Sequence, residues 1–376
     1  MKSGISDYSV ILVNVLKDNF DITLFSDNYE ITDDSIKNYP VLKFGADTVD
    51  FDSFDYILYN MGNNADFHTY IYEAALEHPG VIIQHDLVLF NFIWGYYKEQ
   101  KGSLFSALYK KFSIEDFVSF KEGMKNHQIN IELASKLPLN TELLKSGNRF
   151  ITHSEYTKNK ILETGLVNAE HVKHINLIEQ IAEDTVIIDR EKLFAKYHVP
   201  TDAVVICAFG YIQGTKLNRE TCHAVKNIAA KSHKKICYVM VGKGEYVNDE
   251  LEDGLIIKTG FTELDEFNSF VHYADIIVNL RNPSMGETSA AMLRTLQMGK
   301  VCITNNGGWF SELPDDCVCK IELDNIEKNI EMALTELLSD DNRRAQMSKN
   351  AAEYVSKECS AEVVRRQMTE FITKGV

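Results

Sequence analysis

The sequence has no apolar run long enough to cross a bilayer: its richest stretch, Leu87 to Tyr97, is broken by Asn91 and Gly95. Nor is there an apolar leader behind Met1-Lys2-Ser3-Gly4, so a secretory signal is not expected. Positive charge is in the minority, with 39 Lys and Arg against 55 Asp and Glu in 376 residues, a net −16. That balance argues against non-specific nucleic-acid binding, which depends on neutralising phosphates. The seven cysteines are an odd set without a Cys-x-x-Cys pair, and Cys207, Cys237 and Cys302 sit in apolar runs. Reduced, buried thiols in a cytoplasmic protein are the expectation. His-Glu-x-x-His, Gly-x-Ser-x-Gly, a complete Walker loop and Gly-x-Gly-x-x-Gly are missing. These absences remove the common zinc-protease, serine-hydrolase and P-loop readings and weaken a dinucleotide-cofactor one.

What is present is an alternation. Hydrophobic residues at 45% and charged residues at 25% suit a folded globular chain, and the length calls for two domains. Short β-rich runs are predicted at Asp21–Ser26, Tyr56–Asn60, Val81–Gln84, Arg149–His153, Val204–Phe209, Lys235–Val241, Leu255–Lys258, Asp275–Leu280 and Val301–Thr304. Helical patterns fall between them at Tyr70–Glu77, Thr157–Thr164, Glu220–Lys231, Leu264–Tyr273 and Thr288–Met298. Strand, helix, strand in succession predicts parallel sheets covered by helices, an α/β fold. The pattern restarts near Ala203 after the charged stretch Glu179 to Lys196, which marks the connection between two such domains. The expected division is 1–185, 186–358 and a final helix, 359–376, returning to the first domain.

Ligands of such sheets bind beyond the carboxyl ends of the strands, so the strand-to-helix loops carry the functional information. The fullest is Arg281-Asn282-Pro283-Ser284-Met285-Gly286-Glu287-Thr288-Ser289. Gly286 permits close approach of a ligand, and the amides of Glu287, Thr288 and Ser289 would form an anion site on a helix start. The bland alternative is an N-cap supplied by Thr288 or Ser289. A second loop, Gly210 to Arg219, offers two glycines and then Lys216 and Arg219, cations suited to a diphosphate or simply to solvent. Val241-Gly242-Lys243-Gly244-Glu245 and Asn305-Asn306-Gly307-Gly308 follow strands as well. In the first half, Ser3 to Ser9 is a glycine loop opening a helix. Asn60 to Asn64 follows a strand with His68 beyond it, and Gln84-His85-Asp86 follows another. His85 is placed to donate to a ligand oxygen, or else is a structural histidine fixed by Asp86. Asp50-Phe51-Asp52 has the Asp-x-Asp spacing of metal-dependent sugar transferases but precedes its strand, so a solvated acidic turn is the better reading.

Taken in order, these blocks resemble a retaining GT-B glycosyltransferase of the group 1 family (family 4), in its bacterial surface-glycan branch. The resemblance rests on Leu-Arg-Asn-Pro-Ser-Met-Gly-Glu-Thr-Ser from Leu280, Leu-Arg-Thr-Leu-Gln-Met-Gly-Lys from Leu293 and Gly-Gly-Trp-Phe-Ser-Glu-Leu-Pro from Gly307. Ser3 to Ser9, Gly62-Asn63-Asn64 with His68, Pro79 to Asp86 and His153-Ser154-Glu155-Tyr156 add to it. It implies two Rossmann-like domains facing a cleft, with a nucleoside-diphosphate-sugar donor, UDP- or GDP-linked, on the second and an acceptor on the first. By the same resemblance Lys216 neutralises the leaving diphosphate, Glu287 holds donor hydroxyls and His85 faces the reacting centre. Gly4, Gly210, Arg219, Gly242, Glu245, Gly286, Thr288 and Ser289 are donor-binding candidates. Asn63, His68 and Asp86 are acceptor-binding candidates, and neither a metal nor a cofactor is implied.

Three departures from the family pattern accompany this. The second glutamate of Glu-x7-Glu is absent, Thr295 lying eight beyond Glu287 and Arg294 before Gly299, which leaves Glu245 or Gln297 for the ribose. Tyr211 replaces an arginine, and the family's first strand is missing ahead of the glycine loop, to be expected upstream of Met1. These departures favour an alternative, a catalytically inactive GT-B subunit that binds glycan or a partner transferase. Lys101 to Phe112 is amphipathic and basic, suited to the domain core or to peripheral contact with the inner face of a membrane.

Overall fold

The computed structural model describes residues 4–26, 30–97, 114, 118, 121, 134–135, 138–179, 181 and 185–374. The chain forms two compact units. One comprises Met1–Ile178, Met285–Thr288 and Ala361–Val376; the other comprises Glu179–Ser284 and Ser289–Ser360. The amphipathic segment at 101–112 lies outside the described residues.

The first unit opens with a helix, Gly4–Leu16, whose buried residues Tyr8, Leu12, Val15 and Leu16 recur at helical spacing on one face. Strands β1 (Leu24–Ser26) and β2 (Val41–Lys43) pair with each other in parallel. The main sheet orders β3 (Leu58–Met61), β4 (Val81–Gln84), β5 (Arg149–Thr152) and β6 (Val172–His174), all parallel. All four residues of β4 are buried, as expected of a strand covered on both faces. The predicted strand at 21–26 therefore shrinks to β1 and lies outside the main sheet, beside a β2 that the sequence pattern does not reveal. Asn64 caps the Ala65–Glu77 helix by accepting from Asp66 N–H at 2.9 Å. Ser154 caps Glu155–Glu163 in the same way, accepting from Thr157 N–H at 3.1 Å. The final helix, Ala361–Thr373, is held by Arg149, whose guanidinium lies 4.1 Å from the Phe371 ring centroid. Arg149 also donates to the Phe371 and Ile372 carbonyls, satisfying groups that a helix end leaves open.

The second unit is a six-stranded parallel sheet. Its strands are β7 (Val204–Phe209), β8 (Ile236–Val241), β9 (Ile256–Lys258), β10 (Ile276–Val278), β11 (Cys302–Asn305) and β12 (Cys319–Ile321). Their order is β12-β11-β10-β7-β8-β9. Counted within the unit this is the doubly wound order of dinucleotide-binding sheets, and its switch point falls between β7 and β10. Val205, Ile206, Cys207 and the β8 residues Cys237 to Met240 are fully buried, so the core runs along the adjacent strands β7 and β8. All seven cysteines are free and buried. Burial pushes the thiols of Cys222, Cys237, Cys302 and Cys359 up to about 12, which leaves them inert. Among the described residues no helix is long and apolar enough to cross a membrane.

Candidate functional site

In the second unit the loops after β7 and β10 meet at the switch point. Gly210 ends β7 at φ +88°, and a one-turn helix at Gly214–Lys216 leads through Leu217 (φ +52°) into the Asn218–Lys231 helix. Lys216 folds back so that Nζ donates to the Phe209 carbonyl at 2.6 Å. A Cβ on Gly210 would stand 2.7 Å from that ammonium, so the glycine is what lets the charge lie over the strand end. From the β10 side, Asn282 N–H donates to the Thr215 carbonyl at 2.8 Å, and Arg281 N–H donates to Asn305 Oδ1 at 2.7 Å.

Several candidates have other employment. Arg219 donates to Asp249 Oδ2 at 2.8 Å, Glu250 Oε1 at 2.6 Å and the Tyr246 carbonyl at 2.7 Å, so its guanidinium is committed to carboxylates rather than offered to a diphosphate. A Cβ on Gly242 would collide with the Gly210 carbonyl, and one on Gly244 with that of Ile212. The glycine of Gly242 is thus required by the neighbouring backbone, not by an approaching ligand. Replacing Gly242 with Ala should cost about 2–3 kcal/mol and lower the melting temperature by roughly 5–10 °C, because two backbones must part. Differential scanning fluorimetry of the purified variant checks this; an unchanged melting temperature would show that the loop tolerates the displacement.

Ser289 is the N-cap of the next helix, accepting from Met292 N–H at 3.2 Å, and that helix runs only from Ala290 to Gln297. The expected Thr288–Met298 helix is shorter at both ends, so Glu287 and Thr288 precede its first turn instead of forming its anion-binding start. Arg294, where the second glutamate would stand, pairs with the buried Glu179 and donates to Asn268 Oδ1 at 3.1 Å. Thr295 is buried, its hydroxyl donating to the Met292 carbonyl at 2.7 Å. Glu245 is exposed.

The segment Met285–Thr288 is packed into the first unit, on the loops after β4 and β5. The Met285 carbonyl accepts from Val88 N–H at 3.1 Å, the Gly286 carbonyl from Thr157 Oγ1 at 2.8 Å, and Thr288 Oγ1 donates to the His153 carbonyl at 3.2 Å. Gly286 has φ +80°, and a Cβ there would collide with Leu87 and stand 3.1 Å from Thr157 Oγ1. This corrects the expectation of an open approach: the glycine admits Leu87. Glu287 Oε2 accepts from Met285 N–H at 2.6 Å within the segment.

Behind this segment, three rings cluster at adjacent strand ends. His85 follows β4, His153 follows β5, and Tyr8 comes from the first helix. Centroid separations are 4.8 Å for Tyr8–His85, 5.1 Å for Tyr8–His153 and 5.3 Å for His85–His153. His85 Nε2 lies 3.1 Å from Asn60 Oδ1. His153 Nδ1 lies 2.9 Å from the Ile175 carbonyl, which only accepts, so Nδ1 carries the hydrogen. Burial holds the His153 imidazole down to about 4. Burial and the neighbouring His153 hold His85 well below the ordinary histidine range, and burial lowers His68 as well. All three are neutral at pH 7.

The acceptor candidates hold the surrounding loop. Asn63 Oδ1 accepts from Phe92 N–H at 2.9 Å, Asp86 Oδ2 accepts from Asn63 N–H at 3.1 Å, and His68 Nδ1 donates to the Asn64 carbonyl at 2.8 Å. Gly4 is exposed, with open space where its Cβ would be. Tyr8, Asn60 and His153 lie in sequence blocks quoted above, but were not among the candidate site residues. The available signal was positional: His85 and His153 each follow one of two adjacent parallel strands.

No protein-family profile matches the sequence, and no curated protein is significantly similar to it. Solved structures do match in fold. HepE of Anabaena, crystallised with UDP-glucose, superposes with a TM-score of 0.67 at 13% identity over 100% of this chain and 97% of that one. WaaG, a glycosyltransferase involved in lipopolysaccharide biosynthesis, gives 0.62 at 11% identity over 100% and 97%. A glycosyltransferase from Rickettsia africae gives 0.54 at 14% identity over 85% and 99%. The chain therefore has the α/β fold of GT-B glycosyltransferases, with two Rossmann-like units of parallel sheet.

Proposed function

We propose that the protein is a glycosyltransferase that moves a sugar from a UDP- or GDP-linked donor to a glycan, lipid-linked or protein-linked acceptor. The observation that carries this reading is the switch point of the second unit, where the Lys216 loop and the Arg281–Ser284 loop touch at Asn282 and Thr215. HepE was crystallised with UDP-glucose, and WaaG is involved in lipopolysaccharide biosynthesis. They support a nucleotide-sugar donor for this chain, and the reading extends to surface-polysaccharide synthesis in the cytoplasm or at the inner membrane face. In this reading Lys216 meets the charge that develops on the departing diphosphate. Glu287 and Thr288 hold donor sugar and phosphate, and a neutral His85, whose one hydrogen goes from Nε2 to Asn60 Oδ1, faces the reacting sugar. Transfer proceeds with retention by front-face attack, the donor phosphate taking the acceptor proton, so neither a protein nucleophile nor a metal is assigned. Gly4 remains a donor candidate, whereas Arg219 and Gly242 are left out. Thermal-shift screening against nucleoside diphosphates and their sugars tests the reading: at 100 times its Kd, the cognate ligand should stabilise the fold by about 2.7 kcal/mol.

A second reading, an inactive GT-B subunit that binds glycan or a partner transferase, is favoured by the Arg294–Glu179 pair standing where a second ligand-binding glutamate would be. It differs in outcome, since it allows nucleotide binding without turnover.

A further inference from the structure

Two atoms of the ring cluster, Tyr8 Oη and His153 Nε2, are buried and find no hydrogen-bond partner among the described residues. Their residues are 5% and 3% exposed, and their rings lie 5.1 Å apart. Folded proteins leave few such atoms, because each buried polar group without a partner costs stability. The two are complementary. Burial raises the Tyr8 phenol and keeps its hydrogen in place, so Oη is a donor. His153 has its hydrogen on Nδ1, committed to Ile175, so Nε2 is an acceptor lone pair. A carbonyl or an anion would satisfy Tyr8 alone, and an ammonium would satisfy His153 alone. A hydroxyl, which accepts and donates at one oxygen, satisfies both. The pair also sits within the candidate machinery: His85 is the third ring of the cluster, and the His153 carbonyl holds Thr288, next to Glu287.

We propose that Tyr8 and His153 form a subsite for a single hydroxyl group beside His85. The same chemistry has two sources, a hydroxyl of the donor sugar or a water molecule, and the first rests on the transferase reading above. Tyr8→Phe removes only the hydroxyl. If nothing bridges the two atoms, the variant loses an unsatisfied buried group and its melting temperature rises. If a hydroxyl is bound, the melting temperature falls by roughly 1–3 °C. Calorimetry then separates the sources, using whichever pair binds the wild type, UDP-glucose with UDP or GDP-mannose with GDP. A sugar hydroxyl predicts about five- to tenfold weaker binding of the nucleotide sugar with the free nucleotide unchanged. Water predicts the lower melting temperature with both affinities unchanged. A raised or unchanged melting temperature with both affinities unchanged overturns the subsite, as does equal weakening of nucleotide and nucleotide sugar. A wild type that binds none of these ligands overturns the transferase reading, while the melting comparison still decides whether a hydroxyl is held.

Discussion

Lys216→Ala is expected to reduce kcat/KM for sugar transfer by about a hundred- to a thousandfold, some 3–4 kcal/mol of transition-state stabilisation. The ammonium lies at the carboxyl end of β7, where it donates to the Phe209 carbonyl. Charge grows on the diphosphate as the glycosidic bond breaks, so an interaction made with that charge lowers kcat more than it raises KM. Lys216→Arg should recover only part of the loss, because a planar fork does not reproduce a point charge between Gly210 and the strand end. Arg219→Ala is the discriminating control. Its guanidinium is held by Asp249, Glu250 and the Tyr246 carbonyl, so its removal should leave kcat within about twofold. Steady-state kinetics of the three variants against a nucleotide-sugar donor reports both effects; a Lys216→Ala enzyme with unaltered kcat would remove the lysine from the chemistry.

The second large effect is acid sensitivity. His153 is held down to about 4 in the folded protein from an ordinary 6.5, and His85 and His68 are shifted in the same direction by burial. A folded-state pKa below the unfolded value means that the unfolded chain binds the proton more readily. The resulting stability is complete above pH 6.5 and is lost as pH falls through the window from 6.5 to about 4 for His153. Each fully shifted histidine contributes on the order of 1.4 kcal/mol per pH unit within its window. His223 opposes this, since Glu327 and Glu250 accept hydrogen bonds from its ring and raise it, but its side chain is partly exposed and its effect is small. Urea midpoints should therefore fall steeply between pH 6.5 and 5, before most carboxylates titrate. His153→Asn should flatten the slope, and a wild-type midpoint independent of pH in that interval would contradict the buried neutral cluster.

The architecture was legible because buried parallel strands announce themselves as short continuous apolar runs, as Val81–Gln84 and Val204–Phe209 do. The loops drew attention because chemistry collects at strand ends, and Lys216 and His85 were nominated by that rule. What the sequence hid was reciprocity between distant segments. Gly242 and Gly286 look like ligand-facing glycines, yet one accommodates the Gly210 carbonyl and the other Leu87. Arg219 looks like a free cation until Asp249 and Glu250 are placed beside it, and Arg294 until Glu179 is. Spacing cannot supply partners that are brought in by the fold. Tyr8 and His153 escaped for the same reason, since 145 residues separate two rings that the sheet and the first helix bring together. The helix after β10 is shorter than the Thr288–Met298 pattern, because Ser289, one of its two capping candidates, caps it and leaves Glu287 outside the first turn.

Release of nucleoside diphosphate from a panel of nucleotide sugars, with and without glycan acceptors, is the most direct examination of a donor bound at the β7–β10 switch point. The account predicts release from one base class, accelerated by an acceptor and reduced about a hundred- to a thousandfold in Lys216→Ala. Binding without release from any member of the panel, or release undiminished in Lys216→Ala, would contradict it.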